Sequence, residues 1–422
     1  MKKLQIGKPN TLELEDKTRL QAAITTKEFS HIFYYEVEKK WGQYLCYERA
    51  DAFVLSLLYF ALVHGYDIEC EAPISEKLYM QLSEIYIPTV VKNDPELFHR
   101  INITAPIESK PINSEKGVGA SVSGGIDSFY SILKNYKSET KNYNVTHLLL
   151  TNCFNIYHGE ENTRDRYKVI VEKGTKIANE LGLQFVGIYT NEYQFWYPHF
   201  VDLYCLRYCA LAYAIQKLIS VYHYSTGYQF SDFTFKAENR DASHYDFFTV
   251  HLISSENMTI YSSGGEANRI EKADYIADNK VVQNNLQVCN TLVDHNCCVC
   301  EKCLRTQLNL YACNKLDKYG KVFDLEMFTK NRDKAITECY ERHGSFDIEI
   351  IEMMKKNRII IPLIARIKGS VVYVLKSTAK RIKPINDIHI KNKLKKLKND
   401  DRFNYNMNME YAKKISPDLV WK

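Results

Sequence analysis

The sequence predicts an α/β protein whose central sheet is parallel and covered by helices on both faces. Short apolar segments alternate with helical patterns from Gly117 to about Lys315, which is typical of consecutive β-α-β units. One of these segments runs directly into a glycine turn and then into a helix, between Val118 and Tyr130. We expect three parts: an N-terminal α+β domain of residues 1–115, a central domain of residues 116–316, and a helical, basic C-terminal region of residues 317–422.

Composition favours a soluble, cytoplasmic protein. The chain has 422 residues, 45% of them hydrophobic, and a formal net charge of +5, so it can build two or three domains with real cores. No apolar run reaches the length of a membrane span, and the longest, Phe53 to Val63, suits a buried helix. The first residues lack the apolar core of a signal peptide. We therefore expect the twelve cysteines to remain free of disulfides in a reducing compartment.

The first 115 residues contain both strand-like and helical segments but no catalytic constellation. Strands are predicted at Ile32–Tyr35, Tyr44–Tyr47 and Ile101–Ala105. A helix is predicted over Asp51–His64, and Ser75 is expected to cap a second helix that runs through Leu82. A polar, proline-containing stretch from Ile107 to Lys116 reads as the linker to the next domain.

The central part alternates strands and helices in order. Strands are predicted at Val145–Thr151, Phe185–Thr190, Val221–Thr226 and Thr259–Tyr261, and helices at Asp165–Leu183, Tyr204–Ser220 and Asn268–Ala277. Ligands of open α/β sheets bind at the carboxyl ends of the strands. We therefore expect the segments that follow strands, at Ser123, Asn152, Gly227 and Gly264, to converge on one crevice. Farther on, helices are predicted at Asp324–Phe328 and Phe346–Lys355.

The segment Ser123-Gly124-Gly125-Ile126-Asp127-Ser128 has the features of a phosphate-binding loop. Its glycines let the backbone approach an anion closely, and its amides join the positive end of the following helix. Asp127 cannot donate to phosphate, so its predicted role is to hold the Mg²⁺ that accompanies a nucleotide. The Gly-Lys-Ser/Thr ending of a Walker A loop is missing. The alternative is an ordinary serine-capped helix after a glycine turn.

This loop resembles Ser-Gly-Gly-x-Asp-Ser, the pyrophosphate loop of the PP-loop ATP pyrophosphatase superfamily. The resemblance implies an adenine nucleotide alpha hydrolase-like fold. It also implies an enzyme that cleaves ATP between its α and β phosphates and passes AMP to an oxygen of its substrate. The residues expected to bind ATP are Ser123, Gly124, Gly125, Asp127, Ser128 and Gly227.

Three basic residues in the central part have two open interpretations. Arg269 and Lys272 are three apart on one predicted helix, so both can point the same way. They either meet a phosphate or a substrate carboxylate at the crevice, or form a solvated basic face. Arg207, near the start of the preceding apolar helix, has the same two interpretations.

The segment from Ser262 to Glu266 repeats part of the glycine loop. It is either a turn or a contact with substrate.

Five of the cysteines lie between Cys289 and Cys303. The spacing Cys289-(x7)-Cys297-(x2)-Cys300-(x2)-Cys303 is typical of a tetrahedral structural zinc site, with Cys298 as an extra thiol. A closed four-cysteine site leaves no open position for chemistry, so its expected role is in folding. An iron–sulfur cluster and redox-active cysteines are the alternatives.

The combination of the loop and the late cysteines resembles the 7-cyano-7-deazaguanine synthase family, over roughly Gly117 to Leu310. In that family the cysteines bind structural zinc and a basic residue follows the last of them, as Arg305 follows Cys303 here. A lysine-containing helix precedes the family's zinc segment, which implies a catalytic role for Lys272 in addition to that of Asp127. This sequence departs from the family in three respects: the first cysteine gap is one residue shorter, Cys298 is additional, and the flanking regions have no counterpart.

The region after Leu316 is strongly basic. The segment from Arg366 to Lys398 contains eleven lysines and arginines and a single acidic residue, Asp387. Such a stripe either binds nucleic acid or another acidic partner or forms a solvated helix face. Because a small substrate needs neither flanking region, we expect the N-terminal domain and the tail to recruit a macromolecule, either a protein partner or a nucleic acid.

The predicted function is that of an ATP-dependent, AMP- and pyrophosphate-forming C–N ligase. It would adenylate a carboxylate or amide-like oxygen for attack by a nitrogen nucleophile, with ATP, Mg²⁺ and Zn²⁺ bound. The resemblance implies a deazapurine carboxylate, or a peptide or protein terminus treated by similar chemistry, as substrate. One alternative is sulfur transfer to tRNA through a persulfide on Cys153 or Cys298. The other is a non-catalytic nucleotide-binding assembly module.

Overall fold

A computed structural model describes residues 2–152, 163–192, 200–236, 241–381 and 420–421 of the chain. These residues form a mixed sheet, largely parallel in its central part, together with helices. The prediction of an α/β protein is therefore confirmed. No helix in the described ranges is both long and apolar enough to cross a membrane.

The strands follow one another along the chain with helices between many of them. The strands are β1 Lys2–Ile6, β2 Asn10–Glu13, β3 Lys17–Thr25, β4 Phe29–Glu38, β5 Tyr66–Cys70, β6 Ile74–Ser75, β7 Ile103–Thr104, β8 Ile107–Glu108, β9 Gly117–Ser121, β10 His147–Thr151, β11 Gln184–Thr190, β12 Ile219–Ser225, β13 Thr259–Ser263 and β14 Val420–Trp421.

The α-helices are distributed along the whole described length of the chain. They are α1 Lys39–Gly42, α2 Asp51–His64, α3 Glu76–Met80, α4 Ile87–Asn93, α5 Ile126–Lys134, α6 Thr163–Leu181, α7 Phe200–Ala214, α8 Asp246–Leu252, α9 Arg269–Ile276, α10 Lys280–Asn285, α11 Glu301–Ala312, α12 Leu325–Arg342, α13 Ser345–Lys356 and α14 Leu363–Arg381. A π-helical stretch, Gln81–Tyr86, joins α3 to α4.

The described residues divide into two compact units. The first contains the described parts of Met1–Val122 and Lys134–Gly265, together with β14. The second contains Ser123–Leu133 and the residues from Glu266 to Arg381. These two units are defined by how tightly the residues pack. The predicted division into residues 1–115, 116–316 and 317–422 is a division by function, and it stays a prediction.

The sheet of the first unit has the strand order β13-β12-β9-β10-β11-β4-β3-β1-β5-β7, with β14 on β4 and β2 on β3. Within the run β13-β12-β9-β10-β11 neighbouring strands are parallel, with Leu148 opposite Ala120 on one side of β9 and Tyr222 opposite Gly119 on the other. The next pair, β11 with β4, is antiparallel. The chain leaves β9 toward β10 and later returns to β12 on the other side. The loop after β9 therefore follows the strand at which the order reverses, where α/β sheets bind ligands.

The core of the first unit lies between this sheet and helices such as α2. Nearly every side chain of α2 is buried, as expected for a helix that is apolar on all sides. The helix ends at Gly65, whose φ of 68° is the left-handed conformation that glycine adopts without strain. Phe53 of α2 packs its ring against Phe33 and Tyr35 of β4, with centroids 5.8 and 5.5 Å apart.

Two local predictions for the N-terminal region are wrong. Tyr44–Tyr47 is not a strand, because the Cys46 amide donates instead to the Ala214 carbonyl, at 2.9 Å, at the end of α7. The side chain of Ser75 does not cap α3. Its hydroxyl donates to the buried Asp51 carboxylate at 2.7 Å, and this bond joins two segments that are distant in the chain.

Replacing Phe53 with alanine should destabilise the first unit by about 3–5 kcal/mol, because it removes a fully buried ring and leaves a cavity. Chemical denaturation followed by circular dichroism measures this change. Leu12→Ala is the matched control, because Leu12 is 42% exposed on β2, and it should change stability by about 0.5 kcal/mol or less. Equal effects of the two substitutions would contradict this account of the core.

Candidate functional site

The glycine loop connects the end of β9, at Ser121, to the start of α5, at Ile126. Gly124 has a φ of +75°, a conformation that favours glycine because other residues carry a Cβ. The Gln287 amide donates to the Gly124 carbonyl at 2.8 Å. A Cβ added at Gly125 would meet only the Ser123 hydroxyl, at 3.5 Å. Gly124 is therefore needed for the turn, while Gly125 leaves space in front of the loop.

The two serines of the loop fix its conformation. The Ser128 hydroxyl, which is buried, accepts a hydrogen bond from the Ser123 amide at 3.1 Å. The Ser123 hydroxyl accepts one from the Gly125 amide at 3.4 Å. The first backbone amides of α5 lack acceptors within their own helix, and the helix dipole places positive charge at this end. The serine hydroxyls thus occupy the Ser123 and Gly125 amides, while the start of α5 keeps the positive end of its dipole, and phosphate binding by the loop stays a prediction.

Asp127, in the first turn of α5, forms ion pairs with both basic residues of α9. Arg269 Nη1 lies 2.8 Å from one carboxylate oxygen, and Lys272 Nζ lies 3.3 Å from the other. The Lys272 side chain is only 1% exposed, against 21% for Asp127. A buried ammonium requires a counter-charge, which Asp127 supplies. The interpretation of Arg269 and Lys272 as a solvated basic face is therefore wrong.

The start of α9 is fixed by a capping box. The Asn268 side chain accepts from the Glu271 amide at 3.0 Å, and the Glu271 carboxylate accepts from the Asn268 amide at 2.9 Å. This cap sets the first helical turn, and residues three apart in a helix share a face. Arg269 and Lys272 consequently reach the same carboxylate.

Two further cations lie near this ion pair, on α11. The guanidinium groups of Arg269 and Arg305 lie 5.2 and 5.0 Å from the centroid of the Phe346 ring. The surrounding protein, including the nearby charges of Arg269 and Arg305, lowers the pKa of Lys302 by removing water from its ammonium group and by repulsion between like charges. Sequence reasoning missed Lys302 and Phe346, which no motif marks, and considered Arg305 only because of the family resemblance.

The sulfur atoms of Cys289, Cys297, Cys300 and Cys303 all lie within 4.8 Å of one another. Two of the distances, Cys297 to Cys303 and Cys289 to Cys300, are 4.0 Å. Four thiolates around a zinc ion, with Zn–S bonds of ~2.3 Å, stand ~3.8 Å apart. The four cysteines named from the sequence therefore form a cluster with the donor set and spacing of a tetrahedral metal site.

Backbone amides favour the thiolate form of one member of this cluster, Cys289, whereas burial raises the pKa of Cys297 and of Cys303. Partial burial alone would raise the pKa of Cys289, but amide hydrogen bonds, including those from Leu292 and Thr291, lower that pKa to about 6. Thiolates are the form in which cysteine binds metal. Cys298 is not part of the group: it is buried, its thiol donates to the Asn296 carbonyl, and burial raises its pKa.

The remaining candidates from the sequence lie in the first unit or outside the described residues. Gly227 follows β12 and belongs to the first unit, so its role in nucleotide binding stays a prediction. Arg207 is buried, and its Nε donates to the Glu192 carboxylate at 3.1 Å, so a solvated position is wrong for this residue. The Asn152 amide bridges β10 and β11 through two bonds to the Thr190 backbone. Cys153 lies outside the described residues.

The comparisons give no relative from which a role could be transferred. The chain matches no family model, no curated protein and no solved structure. The candidate site therefore depends on the geometry of the second unit alone.

Protein purified with reductant and without chelator should contain close to one zinc ion per chain. Cys298→Ser should keep the metal, because the Cys298 sulfur is not one of the four clustered atoms, whereas Cys300→Ser should lose both metal and stability. Elemental analysis and thermal unfolding measure these outcomes. Loss of zinc in Cys298→Ser with retention in Cys297→Ser would move the ligand assignment by one residue.

Proposed function

We propose that the chain is an ATP-dependent enzyme of the PP-loop type, which cleaves ATP between the α and β phosphates. AMP would pass to a carboxylate or amide-like oxygen of the substrate, and a nitrogen nucleophile would then displace it. The observation that carries this proposal is the concentration of cationic side chains around Asp127, directly beside a glycine loop at a helix N-terminus.

The charges in this cluster suit a polyphosphate. Four cationic side chains lie in this region: Arg269, Lys272, Lys302 and Arg305. The nearby acids are Asp127, Glu301, whose carboxylate lies 3.6 Å from Arg305, and Glu349, which accepts from the Ile270 amide of α9 at 3.4 Å. Arginine guanidinium groups bind phosphate oxygens in pairs, and lysine provides a compact point charge. Such a concentration of cationic side chains supports the binding of a triphosphate.

In this proposal the ion pairs of Asp127 are exchanged when ATP binds. Arg269 and Lys272 would turn from the carboxylate to the phosphate oxygens, because several negative charges attract them more strongly than one. The amides of the glycine loop would hold the departing pyrophosphate, on which charge accumulates as the bond breaks. Lys272, which is shielded from water, would act most strongly because screening is weak at a buried position.

Asp127, once released by its cationic partners, would provide an oxygen ligand for Mg²⁺. Its carboxylate is partly exposed, and hard carboxylate oxygens are the donors that Mg²⁺ prefers. The ion would neutralise charge on the phosphates. The four clustered thiols would hold zinc in a structural role, since a closed tetrahedral set has no open position.

The resemblance to 7-cyano-7-deazaguanine synthases suggests a deazapurine carboxylate, or a peptide or protein terminus, as the adenylated group. The regions outside the loop and cysteine segments would recruit a macromolecular partner. Sulfur transfer has less support, because Cys298 is buried and hydrogen-bonded and Cys153 is outside the described residues.

Incubation with ATP, Mg²⁺ and a small-molecule cell extract should yield AMP and pyrophosphate, detected by anion-exchange chromatography and mass spectrometry. Asp127→Asn should lower turnover by roughly 10²-fold or more and weaken ATP binding less, because the proposed metal contact matters most as charge develops. Asp278→Asn is the matched control, since Asp278 also pairs with two lysines, Lys315 and Lys318, but is largely exposed.

Two outcomes would contradict this proposal. Release of ADP and phosphate would mean that ATP is cleaved between the β and γ phosphates and not between the α and β phosphates. Full turnover in Asp127→Asn, or an equal loss in Asp278→Asn, would show that the carboxylate beside the glycine loop has no special part in the reaction.

A further inference from the structure

Helix α14 packs against α12 through a narrow face of small residues. Ala365 is buried, and a Cβ added at Gly369 would lie 2.6 Å from the Thr337 carbonyl oxygen of α12. Only glycine allows this close approach of the two helices. The contact fixes which side of α14 faces the protein and which side faces outward.

The outward side of α14 is aliphatic, although it is exposed. Its apolar side chains are between 52% and 80% exposed: Leu363, Ile364, Ile367, Val371, Val374 and Leu375. At ~100° per residue these positions occupy an arc of about 120° along about three and a half turns of the helix. Single exposed aliphatic residues are common on protein surfaces, but a contiguous strip marks an interaction surface.

Basic residues border this strip. Arg366 and Lys368 are exposed and lie on its two sides, and the segment from Arg358 to Arg381 contains six lysines and arginines without an acidic residue. An apolar helix face with lysines and arginines beside it is the pattern of helices that lie in the interface of a membrane with anionic headgroups.

The positive charge beside the strip also distinguishes between two possible partners, a second copy of the chain and an anionic membrane. A second copy of the chain would bring another strip bordered by positive charge, and like charges would oppose the pairing. An anionic bilayer surface offers negative headgroups next to acyl chains, so it complements both the basic border and the aliphatic strip.

We propose that the outward face of α14 binds anionic membrane surfaces. The helix lies parallel to the bilayer with its aliphatic strip among the acyl chains, and the basic border meets the phosphate and carboxylate groups of the lipids. This interaction is independent of the proposed ATP chemistry, because it uses none of the residues of the glycine loop or the cysteine cluster.

The test is co-sedimentation of the full-length protein with vesicles of phosphatidylcholine alone and of phosphatidylcholine mixed with phosphatidylserine. The protein should sediment with the mixed vesicles, and added salt should weaken this binding. The double variant Ile364→Glu, Val371→Glu should reduce it at least about tenfold. The double variant Leu12→Glu, Ile107→Glu, which adds the same charge at positions 42% and 49% exposed, should bind as the wild type does.

A third variant, Arg366→Gln with Lys368→Gln, should reduce binding to the mixed vesicles about tenfold. Circular dichroism establishes that all variants are folded. The proposal is overturned if the wild type sediments with neither vesicle, or if the control falls as far as the α14 variant. It is also overturned if light scattering shows a dimer that the α14 variant alone disrupts, or if the strip binds tRNA but not vesicles.

Discussion

The second unit depends on the ion pairs of Asp127 with Arg269 and Lys272. An ammonium group as deeply buried as that of Lys272 is unfavourable without a counter-charge in contact with it. The start of α5 and the start of α9 must therefore lie side by side, and the glycine loop that precedes α5 is held by the same contact. One carboxylate thus fixes the position of a helix N-terminus, and the cations around it provide the charge that a polyphosphate needs.

The cysteine cluster and the cationic cluster share a short segment of chain. Cys300 immediately precedes α11 and Cys303 lies in its first turn, while Lys302 and Arg305 project from the same turns. A metal held by the four thiolates would fix where this helix begins and therefore where its two cations stand. In the proposed function, a metal without any open coordination position would in this way help to place the cations that contact the phosphates.

Local patterns predicted the elements well and the contacts between them poorly. The buried helix Asp51–His64 has its predicted bounds because its apolar content and Gly65 determine them locally. The pairing of Asp127 with Arg269, 142 positions later in the chain, has no local signature. The sequence therefore placed Arg269 and Lys272 on one helix face but did not indicate that Asp127 is their partner. The buried pair of Arg207 and Glu192 was missed for the same reason. The cysteine ligands were predictable because metal geometry restricts their spacing directly.

The most direct measurement is a crystal structure of the protein with Mg²⁺ and a non-hydrolysable ATP analogue bridged by a methylene group between the α and β phosphates. The β and γ phosphates should lie at the glycine loop, against the first amides of α5. Arg269 and Lys272 should lie within hydrogen-bond distance of phosphate oxygens, and Asp127 should face the metal. An analogue bound elsewhere, with both cations still paired to Asp127 and the glycine loop empty, would contradict it.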